Sequence, residues 1–261
     1  MRTLKLAWVF FRICLMNEAA YRANFFIQVF ESALGMVTAI GSVFIVFDQT
    51  DQLAGWHRSE LISLLGIYFI ILGSINLMVA PSLTKFMEDI VEGKLDFTIT
   101  KPRDSQLLVS IQEFRIWKLL DIVMGLIVLF VGIGERATET NWLDASLFLA
   151  SLATAGAIIY SFWIILATFA FWFIRVENIL QIFWAMYIAG RWPVTIYPAW
   201  LKFILTAIVP IAFAVTVPAE AMAGKMETQT LLIAVGLAMA LMYGSRKFWK
   251  FGIRFYSGAS A

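Results

Sequence analysis

An all-α, polytopic membrane fold is predicted by three observations: the bulk composition, the apolar runs, and the placement of lysine and arginine. Of 261 residues, 61% are hydrophobic and 15% charged. Soluble domains run near ~45–50% apolar and ~25% charged. A water-soluble chain of this size could not bury so much apolar surface, and disorder requires the opposite composition. Several runs approach the ~20 apolar residues that cross a bilayer. Fifteen of the twenty lysines and arginines fall on one side of the resulting topology.

The scarce polar chemistry narrows function. A net charge of +2 argues against nucleic-acid binding. Cys14 is the one cysteine and His57 the one histidine, so no internal disulfide and no Cys/His metal cluster can form. Carboxylate sites for hard cations stay open. A lone histidine beside Arg58 and Glu60 in a short external loop reads as solvated and gives no catalytic triad. The chain is therefore expected to be no enzyme and to carry no cofactor of its own.

Residues 1–22 form an amphipathic, basic segment. Leu4, Trp8, Phe11 and Leu15 recur at helical spacing, with Lys5 and Arg12 on another face. Such a helix lies in the membrane interface, as an anchor or as a lever to the first span. The first apolar run exceeds a signal-peptide core, so no cleavable leader is expected.

Six spans follow: Ala23–Phe47, Leu61–Pro81, Leu119–Gly134, Ala145–Ile174, one starting at Asn178–Gly190, and Thr228–Ser245. Fifteen basic residues lie in the N-terminal segment, the loop after span two, the turn at Arg175 and the C-terminal tail. Five (Arg58, Arg136, Arg191, Lys202, Lys225) lie opposite. The positive-inside rule places both termini in the cytoplasm.

The loop of residues 82–118 carries more local order than a tether. Leu83, Phe86, Met87 and Ile90 form a helical stripe, and Gly93 stands where a helix C′ glycine would. Leu95 to Thr100 alternates apolar and polar, predicting an extended strip. Pro102 breaks the chain, Asp104 or Ser105 can cap the next helix, and Leu107, Leu108, Ile111 and Phe114 give a third stripe. Residues 191–227 are too apolar for an ordinary external loop. Pro193, Pro198, Pro210 and Pro218 divide them into short helices, roughly Ala199–Val209 and Ile211–Ala223. Irregular backbone at membrane depth survives only inside protein or beside a water-filled cavity. A re-entrant hairpin dipping from the outer face is expected.

This order of parts resembles the type-2 ABC exporter permeases, specifically a bacterial branch with chains of about this length. The stretch Glu92-Gly93-Lys94-Leu95-Asp96 followed by Lys101-Pro102 resembles the family's G-x-L-D-x-x-L-x-(R/K)-P loop; Thr98-Ile99-Thr100-Lys101 departs from its usual leucine and arginine. Pro193 through Pro198, Trp200-Leu201 and Pro210 resemble the external P-x-x-x-x-P-x-W-L…P pattern. The resemblance covers nearly the whole chain. It implies one transmembrane permease domain over residues 1–261 in a bacterial inner membrane. It also implies ATP and magnesium bound on separate ATPase subunits, two per complex, and a second permease, identical or homologous. This chain agrees in having no phosphate-binding G-x-x-x-x-G-K-[ST] loop. By the same resemblance Asp96, Lys101, Pro102, Arg103 and Asp104, flanked by Leu95, Leu107 and Leu108, meet the ATPase.

Glu31, about nine residues into span one, is a candidate for the substrate path or the permease interface; a merely structural carboxylate is the plainer reading. Pro193, Pro198, Trp200, Pro210 and Glu220 join it as hairpin candidates. Asp121 is expected to pair with Lys118. The alternative functions are an ATPase-independent secondary transporter or channel, which would need more intramembrane charge and internal repeats, and an intramembrane enzyme, which lacks catalytic residues in its spans.

Overall fold

The computed structural model describes residues 2–19, 22–134, 142–173 and 177–256, and these are largely helical with no strand among them. The side chains of Leu4, Lys5 and Arg22, and residues Arg136 and Arg175, which carry part of the reading above, lie outside what is described. Helix α1 is Arg2–Ala19 and α2 is Arg22–Phe47. Helix α3 runs Arg58–Val91, and the short α4 (Asp96–Ile99) and α5 (Ser105–Ser110) follow. Helix α6 is Ile116–Gly134 and α7 is Trp142–Thr168. Helix α8 is Glu177–Tyr187, α9 Ala199–Ile208, α10 Ala212–Met222 and α11 Thr228–Gly252.

Among the described residues five helices are long and apolar enough to cross a membrane, α2 from Phe25, α3, α6, α7 and α11, or six if the bent pair α9–α10 is one span. The expected fifth span falls short. Helix α8 and the 3₁₀ turn Ile188–Arg191 together reach only about 24 Å, against ~30 Å of hydrocarbon. The broken pair α9–α10, bent by 80°, supplies the next stretch of apolar helix.

Helix α3 is the central post. It is buried all round from Ser59 to Ile71, as a helix that is mostly apolar on every side must be. Its partner α6 approaches closely because glycines face each other. A Cβ on Gly66 would lie 2.5 Å from the Leu129 nitrogen, and one on Gly125 would lie 2.8 Å from the Gly66 carbonyl. Lipid offers helices no hydrophobic drive to associate, so close van der Waals packing of small residues takes its place.

Span two does not stop at Pro81. The helix continues to Val91, and the predicted stripe Leu83, Phe86, Met87 is its buried lower face. The proline leaves a different mark. It has no N–H for the Leu77 carbonyl, and its ring crowds that oxygen. The preceding Ala80 N–H instead reaches five residues back to Ile75, giving the π-turn Ile75–Val79. The same event recurs at Val209 before Pro210 and at Val217 before Pro218, where the N–H groups bond Ile204 and Ala212. The freed Leu77 carbonyl accepts the Arg115 N–H at 2.9 Å.

Helix α1 seats a face one residue round from the predicted stripe. Cys14 is buried with Phe114 and Ile111, and Ala7, Phe10 and Phe11 pack on them. Trp8 and Leu15 point away, exposed. The apolar surface of α1 exceeds what its own chain covers, so spacing alone could not choose between two overlapping stripes.

Candidate coupling surface and external hairpin

The insert after α3 is fastened to the bundle by backbone caps and two polar hubs. Gly93 takes φ +69°, a conformation glycine adopts without cost. There the Lys94 and Gly93 N–H groups close the helix on the Asp89 and Ile90 carbonyls at 2.7 and 3.2 Å. The following residues do not extend. Asp96–Ile99 is a single helical turn, because Leu95 and Thr98, three apart, both turn inward and are buried. An alternating strip would put them on opposite faces.

The first hub is Ser82. Its hydroxyl donates to the Glu113 carbonyl at 2.8 Å and accepts the Glu113 N–H at 3.1 Å, and its carbonyl accepts from Gln112 Nε2 at 3.1 Å. Burial of Glu113 beside it pushes that carboxyl above its ordinary pKa. The second hub is Asp104. It caps α5 by accepting the Leu107 N–H at 3.1 Å, as expected of that position. It is also held by both ends of the Arg246 guanidinium, whose Nη1 bonds Asp104 Oδ1 and Gln106 Oε1 at 2.8 Å each. The Arg246 hydrogen bonds keep the Asp104 carboxyl below its usual range. One helical turn on, the buried Trp249 donates to Ser105 Oγ at 3.2 Å and packs on Phe86 and Phe171. The last span is thus tied to the insert.

These fastenings sort the candidate contact residues. Leu95 and Leu108 are buried in the chain's own core, Leu107 is half-buried, and Asp96 is partly covered. Lys101, Pro102 and Arg103 stand exposed, with Phe97 projecting at 73% exposure. The predicted third stripe ends early: α5 stops at Ser110, and Ile111 and Phe114 turn toward α1.

At the opposite end of α3 the hairpin is held by a cation. Glu60 closes the helix by accepting the His57 N–H at 2.9 Å, and its carboxylate pairs with Lys225. The Lys225 ammonium also donates to the Gly55 carbonyl at 2.8 Å and sits 5.2 Å from the Trp56 ring centre. Trp56 Nε1 in turn donates to Thr195 Oγ1 at 3.1 Å, and the Val194 N–H to Thr216 Oγ1 at 3.2 Å. Lys225 reaches this position because Gly224, at φ +66°, ends α10 as Gly93 ends α3.

Among the hairpin candidates Pro193 and Pro210 are buried, Pro198 and Trp200 are exposed, and Glu220 is half-buried. The two expected helices meet at Val209-Pro210-Ile211. Arg191 lies over the buried Tyr68 ring, 5.7 Å from its centre. Because α8 is short, its end falls inside the bundle. Glu31 faces outward, exposed, and no described cation pairs with it. Asp121 pairs with Lys118 at 3.2 Å, as its spacing implies, and Lys118 reaches Ser32 at 3.5 Å.

Sequence reasoning missed Arg246, Trp249, Glu60 and Lys225. Each bonds a residue more than a hundred positions away, and no local pattern marks such a pair. Residues 33–260 match the family described as ABC-2 family transporter protein. No curated protein and no solved structure matches the sequence.

Proposed function

The chain belongs to the ABC-2 family of transporter proteins, and on that premise we propose that it is the membrane-spanning subunit of an ATP-driven exporter. In this reading it forms a substrate path with a second permease, identical or homologous. Two separate ATPase subunits bind ATP and magnesium. The assembly sits in a bacterial inner membrane with both termini in the cytoplasm, the orientation favoured by the fifteen-to-five division of basic residues.

The observation that carries the reading is the insert's construction. Lys101, Pro102, Arg103 and Phe97 are exposed together. The backbone beneath them is fixed to α3 through Ser82 and to α11 through Asp104–Arg246. A push from an ATPase on that crown passes into two spans at once. At the far end of α3 the Glu60–Lys225 pair hands the displacement to the hairpin, whose opening releases an amphiphile outward. Apolar spans suit lipidic or hydrophobic cargo.

Purification of the native complex tests the class: the reading expects ATPase chains to come with the protein, and their absence would sink it. In liposomes, ATP turnover by the complex is expected to survive Glu31→Ala and to fall at least tenfold in a double variant of Asp96 and Arg103. Loss in the first and survival in the second would reverse the assignment of roles.

A further inference from the structure

We propose that the end of α11 beside the insert is a binding site for an anionic phospholipid headgroup. Lys247, Lys250 and Arg254 lie at i, i+3 and i+7, on one side of the helix and its terminal 3₁₀ turn, and all three are exposed. None has a carboxylate within ion-pair distance among the described residues; Lys247 sits over the Tyr243 ring at 5.4 Å. The nearby acids of α3 are matched by lysines of their own. Lys85 holds Asp89 at 3.0 Å and Glu88 at 3.8 Å, and Lys94 holds Glu92 at 2.6 Å. From Thr228 to Gly252 helix α11 contains no acidic residue at all. The three cations therefore form a positive stripe with no ion-pair partner among the described residues, Asp96 lying beside the neighbouring Tyr256.

Depth and shape select a lipid. Lys247 lies about 28 Å along the helix from Thr228 at 1.5 Å per residue, the thickness of the hydrocarbon core, so the stripe begins where headgroups begin. Phe251 and Phe255, each 50% exposed, pack edge to face at 4.9 Å and both contact Trp172, at 5.8 and 5.4 Å. This is the aromatic platform that favours the membrane interface. Beside it opens a cleft of about 280 Å³, walled by Ile90, Val91, Phe171, Trp172 and Phe255. A soluble phosphate would use only the cations. A phospholipid uses both parts, with its phosphate on the lysines and arginine and its glycerol and first methylenes in the cleft, whose lining is part polar and part aromatic. Because Arg246 and Trp249 of the same helix hold the insert, a lipid seated here braces the element to which the insert is tied.

The full-length protein in detergent is presented with phosphatidylglycerol or phosphatidylcholine, and the lipid retained is read by native mass spectrometry. Preferential retention of phosphatidylglycerol is expected. A cation near an anionic lipid surface is worth several-fold in affinity, so the triple variant K247Q/K250Q/R254Q should lower that preference on the order of a hundredfold. The single variant F255A should weaken retention of both lipids, and K202Q on the hairpin should change neither. Equal retention of the two lipids by the unaltered protein would overturn the proposal. So would a triple variant that keeps the preference for phosphatidylglycerol. The assay contains no ATPase and no oriented membrane, so its failure leaves the exporter reading standing.

Discussion

Asp104 performs two tasks through different chemistry, and substitutions separate them. As a cap it needs an acceptor oxygen, which asparagine also supplies. As the partner of Arg246 it needs charge. Asp104→Asn is therefore expected to keep α5 and weaken the tie to α11, while Asp104→Ala loses both, with about 1 kcal/mol for the cap alone. The pair is partly exposed, so its own contribution is ~1 kcal/mol or less. Its pH dependence has a definite sign. The folded carboxyl lies below the ordinary value, so the stabilisation is complete above about pH 4 and is lost as pH falls through the depressed value. Melting curves of the detergent-purified protein should show a constant gap between wild type and Asp104→Asn from pH 8 to 5, closing only in acid. A gap that closes near neutrality would contradict the assignment.

At the scale of elements, the α3–α6 seam makes the sharpest prediction. Gly66→Val places carbon where the Leu129 backbone already stands, and overpacking of this kind costs ~1–3 kcal/mol. Gly35→Ala in α2 meets nothing within 4 Å and should leave the melting temperature unchanged or slightly raised. Equal behaviour of the two variants would refute the seam. The same contrast shows what was legible in the sequence. Glycine and proline positions were visible with their local consequences, the Gly93 turn and the breaks around Pro210, and so were the Asp104 cap and the Lys118–Asp121 pair. Their tertiary consequences were not. Pro81 reads as a helix terminus, yet here a π-turn absorbs it because Arg115, thirty-eight residues after Leu77, takes the orphaned carbonyl. Alternation at Leu95–Thr100 reads as a strand, yet burial of Leu95 and Thr98 under α5 overrides it. Helix α1 offers two apolar stripes, and only the position of Phe114 decides which is seated.

At the scale of the whole molecule, α3 is a rod fastened to the insert through Ser82 and to the hairpin through the Glu60–Lys225 pair. Its length, 34 residues, is about 51 Å at 1.5 Å per residue, enough to reach from the insert to the hairpin. Such a rod transmits displacement only if both fastenings hold. The Glu60–Lys225 pair is the one to test, because Glu60 is buried and Lys225 also grips Gly55 and the Trp56 ring. Lys225→Met removes this cation from beside a buried carboxylate, which destabilises the fold. Adding Glu60→Gln removes the carboxylate that Lys225 faces, so the double variant should melt higher than Lys225→Met alone. That recovery would show that the charges are coupled rather than merely adjacent. Recovered stability should not restore transport: without the ion pair the hairpin no longer follows α3, and the complex should hydrolyse ATP while moving cargo at least tenfold more slowly. A double variant that melts like wild type and transports like wild type would show that the hairpin moves independently of the rod.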